Sequence, residues 1–233
     1  MKFFTNQNPE IVKNLAVERV NKFLRDNRNN KILFLTSGGS CMELLDGISE
    51  ENLNQNITFI LLDERFTRDP ANNNYQKLLT KKEFIKRIES CGSILLDTSI
   101  KDGEGAEDYA ERYSNLIKNW QDNNPGGIIF ATFGVGSDGH TAGILPLNKD
   151  EFNKLFIDSQ KYFVAYKVES KDFEYRITAT VYFIISQVDF GIVYQVEKNF
   201  RSKWEKIISG QTKLHEVPAT VFTNLKRIEI YTD

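Results

Sequence analysis

Cysteine, histidine, methionine and tryptophan are scarce in this chain, with two of each in 233 residues. Cys41 and Cys91 are too few for a disulfide framework and stand at no metal-ligand spacing, so the expectation is two reduced thiols, no metal site and no cofactor. An excess of one charge is missing too. Thirty Lys and Arg face 32 Asp and Glu, a net charge of −2 without strong blocks, which argues against a nucleic-acid surface or a polybasic membrane contact. Nor is there a long hydrophobic run: the N-terminus, "MKFFTNQNPEIVKNL", turns polar within a few residues, unlike a signal peptide or a membrane span. Together these absences predict a soluble, cytoplasmic protein, with no nucleic acid or membrane as partner, acting on a small polar or anionic ligand.

What is present is a regular alternation. "NPEIVKNLAVERVNKFLRDN" offers Asn8 as N-cap, Pro9 as first helical residue, and Ile11, Leu15, Val20, Phe23 and Leu24 at helical spacing. The apolar runs "KILFLT", "ITFILL", "SILL" and "GIIFATF" then alternate with helix-like segments such as "TKKEFIKRI" and "EDYAERYSNLIKNW". Such runs suit a parallel sheet buried on both faces, and four β-then-α steps predict an α/β sandwich. After residue 160 the runs "YFVAYKV", "RITATVYFII" and "DFGIVYQV" show fewer obvious helices, so antiparallel strands or a buried helix are expected among them. A helix in "EKNFRSKWEKIISG" and a strand in "RIEIYT" close the pattern. No linker interrupts the chain, so one domain spanning 1–233 is the simplest expectation.

Open parallel sheets bind ligands beyond the carboxyl ends of their strands, and the residues next to each predicted strand end here are polar. After "KILFLT" come Ser37, Gly38, Gly39 and Ser40. Their glycines let backbone N–H groups turn toward an anion, and the alternative is a tight strand-to-helix turn capped by Ser40. No G-x-x-x-x-G-K-[ST] phosphate loop accompanies them. After "ITFILL" come Asp63, Glu64 and Arg65, either a solvated charge cluster or a site in which Arg65 offers a fork-shaped donor oriented by Asp63. After "GIIFATF" comes "GVGSDGHTAGILP", where Gly136 and Gly139 permit close approach of backbone to ligand. There His140 can take a proton from water near neutrality while Asp138 fixes its tautomer. His215, among polar loop residues, reads as surface. Thr141 and Ala142 read as residues that shape the turn, with Thr141 also able to cap the following helix, and Cys41 reads as a small buried residue rather than a nucleophile.

In this order and at these distances, "LTSGGS", "LLDERF", "GVGSDGHTAGILP", "YRITAT" and "EVPAT" resemble the motifs of the family that unites 6-phosphogluconolactonases with glucosamine-6-phosphate deaminases. The resemblance covers nearly the whole chain and is closest to the lactonase branch. It implies a three-layer α/β/α sandwich with a mostly parallel, modified Rossmann-like sheet. It also implies hydrolysis of 6-phospho-D-glucono-1,5-lactone to 6-phosphogluconate in the oxidative pentose phosphate pathway, with a phosphorylated sugar lactone as the partner and the protein acting as monomer or homodimer. On this reading His140 is the general base, Arg65 faces the carbonyl oxygen, and residues 37–40 hold the phosphate with Arg176 and Lys198. Lys203 is a rival for Lys198, and Asn73 and Asn74 are either an ordinary polar turn or a ligand contact. Two positions speak against the deaminase branch: that branch typically reads D-E-Y where this chain has Asp63, Glu64 and Arg65, and it places a Glu where this chain has Leu145. A sugar-phosphate-binding regulator without turnover is the third reading.

Overall fold

In the computed structural model, which describes residues 1–196 and 200–233, a strand β1 (Lys2–Thr5) precedes helix α1 (Pro9–Asp26). The Asn8 side chain accepts the Glu10 N–H at 3.0 Å, and Pro9 opens the helix where its missing N–H costs nothing. Val12, Ala16, Val20, Phe23 and Leu24 form the buried stripe, whereas Ile11 and Leu15 stay exposed. In the first two turns the buried positions thus fall one residue after the expected ones, while Val20, Phe23 and Leu24 are buried as the spacing predicts.

Strands and helices then alternate as β2 (Ile32–Thr36), α2 (Cys41–Asp46), β3 (Ile57–Leu61), β4 (Asp63–Phe66), α3 (Asn74–Leu79), α4 (Lys82–Ser90), β5 (Ile94–Leu95), α5 (Ala106–Asn123) and β6 (Ile128–Phe133). They are followed by α6 (Lys149–Phe156), β7 (Phe163–Lys167), β8 (Tyr175–Ala179), α7 (Val181–Gln187), β9 (Phe190–Gln195), α8 (Arg201–Ile208) and β10 (Ile228–Thr232). Seven strands form one parallel sheet in the order β1-β10-β9-β6-β2-β3-β5, with helices packed on it in an α/β/α arrangement. β2, β3, β9 and β10 are buried at every residue, as a sheet covered on both faces requires.

A second sheet, β4-β8-β7, is antiparallel. The "DER" segment therefore belongs to a strand, not to a loop after one. "RITATVYFII" divides at Thr180, whose side chain accepts the Phe183 N–H and starts α7. β1 was not evident in the sequence: only one of its four residues is even partly buried, so it lacks an apolar signature and is ordered by pairing with β10.

Aromatic packing ties the layers together. Phe23 of α1 stacks on Phe130 of β6 with ring centroids 4.4 Å apart, and Phe34 of β2 meets Phe130 at 4.6 Å and Phe59 of β3 at 5.1 Å. Each fully buried phenylalanine of this chain of contacts contributes roughly 1.5–3 kcal/mol by leaving water. The rigid core so formed fixes the strand ends from which the polar loops emerge. Among the described residues no helix is long and apolar enough to cross a membrane.

Candidate active site

The order of the strands decides where a ligand can sit. β3 and β5 lie on one side of β2 and β6 on the other, so crossover directions reverse between β2 and β6. Loops that leave such neighbours diverge and open a crevice at the carboxyl end of the sheet. Here the two loops are residues 37–40 and 134–140, and with the small sheet they enclose a cleft of about 210 Å³. Ser37, Gly38, Gly39, Ser40, Asp63, Arg65, Gly136, His140 and Arg176 all line it. Lys198 lies outside the described residues.

On the loop after β6, Asp138 Oδ1 stands 2.6 Å from His140 Nδ1 and also accepts the His140 backbone N–H at 2.9 Å. One oxygen thereby fixes both ring and backbone, which leaves Nε2 as the ring nitrogen that can take a proton. Burial pushes the Asp138 carboxyl up, but the His140 N–H and then the imidazole outweigh it and hold it below its ordinary value. Gly136 is required by space: a Cβ there would lie 2.2 Å from His140 Cε1 and 2.3 Å from Nδ1. Gly139, at φ +91°, turns the loop through a conformation that favours glycine, and its carbonyl accepts the Ala219 N–H at 2.9 Å.

Thr141 does not cap a helix. It is fully buried, its hydroxyl donates to the Gly134 carbonyl at 2.8 Å, and the next helix, α6, is capped by Asn148. The following turn is clamped from the small sheet, where Gly143 N–H donates to Thr178 Oγ1 at 3.0 Å and Tyr166 O–H donates to the Gly143 carbonyl at 2.5 Å. Ala142, between these anchors, is held at φ 50°, a left-handed conformation uncommon outside glycine. Lys203 Nζ donates to the Ser137 carbonyl, so this lysine tethers α8 to the Asp138–His140 turn. His215 is half-buried, its side chain 19% exposed and Nδ1 3.3 Å from the Leu147 carbonyl.

Across the cleft, Gly39 adopts φ +64° and the Gly38 N–H donates to Asp63 Oδ1 at 3.3 Å. Ser40 makes no side-chain cap bond to the short helix α2, and Ser37 Oγ is buried with no hydrogen-bond partner among the described residues. Asp63 is itself buried; desolvation raises its carboxyl above the ordinary range against the opposing pull of Arg176, the Gly38 N–H and Arg65. Arg65 and Arg176 are direct cross-strand partners of β4 and β8, both within 6 Å of the Phe173 ring centroid. Like charges opposed in this way repel. Among the described residues neither guanidinium has a carboxylate within salt-bridge distance, and both Nε atoms are buried without a partner. Arg65 donates from one terminal nitrogen to the Asn72 carbonyl at 3.3 Å, and Asp63 is the carboxylate whose charge both arginines feel.

The sequence assigns Glu64 no role of its own and leaves Asn73 and Asn74 open between an ordinary turn and a ligand contact. Glu64 is buried rather than solvated, because strand alternation turns it to the face opposite Asp63 and Arg65. Asn74 lines the cleft, while its neighbour Asn73 is the ordinary cap of α3, accepting the Gln76 N–H at 2.8 Å. No sequence signal separates these two asparagines; only the helix start does. Cys41 is fully buried at the start of α2, and desolvation first, then Asp63, pushes its thiol far above the range in which it would ionise.

The family model described as glucosamine-6-phosphate isomerases/6-phosphogluconolactonase matches residues 7–229. A probable 6-phosphogluconolactonase from Dictyostelium discoideum is 21% identical over 224 residues, covering 93% of this chain and 87% of that protein. The crystal structure of a 6-phosphogluconolactonase from Shewanella baltica superposes with a TM-score of 0.77 at 16% identity, covering 100% of this chain and 97% of that one. A monomeric glucosamine-6-phosphate deaminase superposes with a TM-score of 0.73 at 18% identity, covering 100% of this chain and 97% of that one. At these identities the structural likenesses are likenesses of fold, and both branches share it.

Proposed function

The chain belongs to the family of glucosamine-6-phosphate isomerases and 6-phosphogluconolactonases, and we propose that it is a 6-phosphogluconolactonase acting in the oxidative pentose phosphate pathway. The observation that carries this reading is the meeting of the Asp138–His140 pair with Arg65 and Arg176, which form no salt bridge among the described residues, on one cleft. A general base beside an anion receptor suits hydrolysis of a phosphorylated lactone and is of little use to a protein that only binds sugar phosphates.

In the proposed reaction residues 37–40 and Arg176 hold the 6-phosphate, with Lys198 as a further cation. His140 Nε2 takes a proton from a water whose oxygen attacks the lactone carbonyl carbon. Asp138 keeps Nδ1 as the donor and stabilises the imidazolium that forms. Negative charge collects on the former carbonyl oxygen, which Arg65 faces as a fork-shaped donor. Collapse breaks the bond from this carbon to the ring oxygen, His140 returns the proton to that oxygen, and the open-chain acid leaves. Asp63, beside the two arginines and the Gly38 N–H, orients rather than reacts.

Leu145 supports this branch over the deaminase one. It carries no carboxylate to pair with the histidine, and its N–H is 3.3 Å from Tyr166 Oη. The test is acid release from freshly generated 6-phosphogluconolactone, corrected for spontaneous hydrolysis, by wild type and His140→Ala. Acceleration that the variant loses is the expected result. A folded wild type without acceleration would overturn the proposal and direct attention to glucosamine 6-phosphate turnover, then to ligand binding alone.

A further inference from the structure

Glu64 faces away from the cleft and is 1% exposed, yet it stands between two cleft residues. Oε1 accepts the Arg65 N–H at 2.7 Å and the Asn74 N–H at 2.6 Å, and Oε2 accepts the Tyr75 N–H at 2.7 Å. Desolvating a carboxylate is expensive unless hydrogen bonds compensate, and here all three come from backbone, two of them from the first turn of α3. Such first-turn N–H groups have no partner within their own helix. Glu64 therefore caps α3 from a different element and fixes where that helix begins.

Its first residue is Asn74, 1% exposed. Asn74 Nδ2 donates to the Asp63 carbonyl at 3.2 Å and to Asp63 Oδ2 at 3.3 Å, two acceptors that determine which way the amide points. Gly38 lies directly over it, and a Cβ there would meet the amide at 2.6–2.8 Å. The remaining atom, Oδ1, is buried without a hydrogen-bond partner among the described residues, on a residue that lines the cleft. An orphaned buried acceptor is costly in the absence of a donor, and hydroxyl groups of a sugar ring are donors of the right kind.

We propose that Glu64 is a positioning residue, which by fixing the start of α3 holds Asn74 Oδ1 to accept a hydroxyl of the sugar ligand. The proposal rests on the sugar-phosphate reading of the cleft and adds to it a contact that selects among hydroxyl configurations.

The experiment compares wild type, Glu64→Gln, Asn74→Ala and the double variant in kcat and KM for 6-phosphogluconolactone, together with backbone amide exchange. Glutamine puts an N–H₂ where one oxygen accepted, so one bond becomes a donor facing a donor. Both single variants should raise KM about tenfold with kcat within about threefold, the pattern of a lost binding contact. The double variant should be no worse than Asn74→Ala, because coupled residues do not add. Exchange should accelerate at Asn74 and Tyr75 and remain slow at Phe130. Multiplying effects, a loss in kcat with KM unchanged, or unaltered protection at 74 and 75 would each overturn the proposal. Loss of protection at 74 and 75 in a protein without lactone turnover would refute the lactonase reading while supporting the hold of Glu64 on α3. If Glu64→Gln does not fold, Glu64→Asp, which keeps the carboxylate one methylene further back, supplies the same comparison.

Discussion

Gly136→Ala separates the position of the imidazole from its presence. The added Cβ would stand 2.2 Å from Cε1, 2.3 Å from Nδ1 and 3.0 Å from Nε2 of His140. Favourable contact begins at about 3.5 Å, so the ring must withdraw by roughly 1 Å or more. The backbone at residue 136 is not in the left-handed region, so alanine introduces no strain there. The side chain of His140, 32% exposed, gives way by swinging outward. That motion breaks the 2.6 Å contact between Nδ1 and Asp138. A displacement of about 1 Å at a reacting group costs on the order of 100-fold in rate. The expected result is a kcat/KM for 6-phosphogluconolactone about 100-fold below wild type, a thermal midpoint within a few degrees, and affinity for 6-phosphogluconate within about threefold. Activity within about threefold of wild type would refute the claim that this geometry positions the base.

Asp138→Asn removes the acceptor that fixes the ring while conserving shape, and should lower kcat by about 10²–10⁴-fold as in other base–carboxylate pairs; activity near wild type would separate Asp138 from catalysis. Cys41→Ala should keep kcat/KM within about threefold and cost about 1–2 kcal/mol of stability, measured by urea unfolding, because its buried thiol packs without reacting. Burial pushes the Glu64 carboxyl from 4.5 up to about 7 against the N–H bonds of Asn74, Arg65 and Tyr75. A carboxyl raised on folding favours the native state most when protonated. Its contribution is therefore complete below about pH 4.5 and is lost as pH rises through about 7, by up to about 3 kcal/mol. The unfolding free energy of wild type minus that of Glu64→Gln should fall between pH 4 and pH 8, and a flat difference would refute this assignment.

The apolar runs of the sheet, the first helix with its Asn8 cap and the polar loops after strands were legible in the sequence because they arise from local rules: buried parallel strands are continuous in hydrophobicity, and helices announce their caps. β1 escaped because its order comes from pairing with β10, not from its own composition. The role of Glu64 stays hidden for a related reason, since three adjacent charges look alike until a strand's alternation sends the middle one to the face opposite the cleft. Thr141 shapes its turn without capping a helix, and His215 is half-buried, because their partners, the carbonyls of Gly134 and Leu147, are supplied by loop geometry.

The sequence by itself determined which residue types a site could draw on: one histidine with a carboxylate two positions away, glycines where side chains would obstruct, and two arginines in distant segments. Tertiary structure decided where they meet. Reversal of the crossovers between β2 and β6 opens the crevice, and the antiparallel register of β4 with β8 sets Arg65 against Arg176. Neither outcome is encoded locally. Both depend on which strands become neighbours, which is settled by burial of the whole sheet rather than by any one segment.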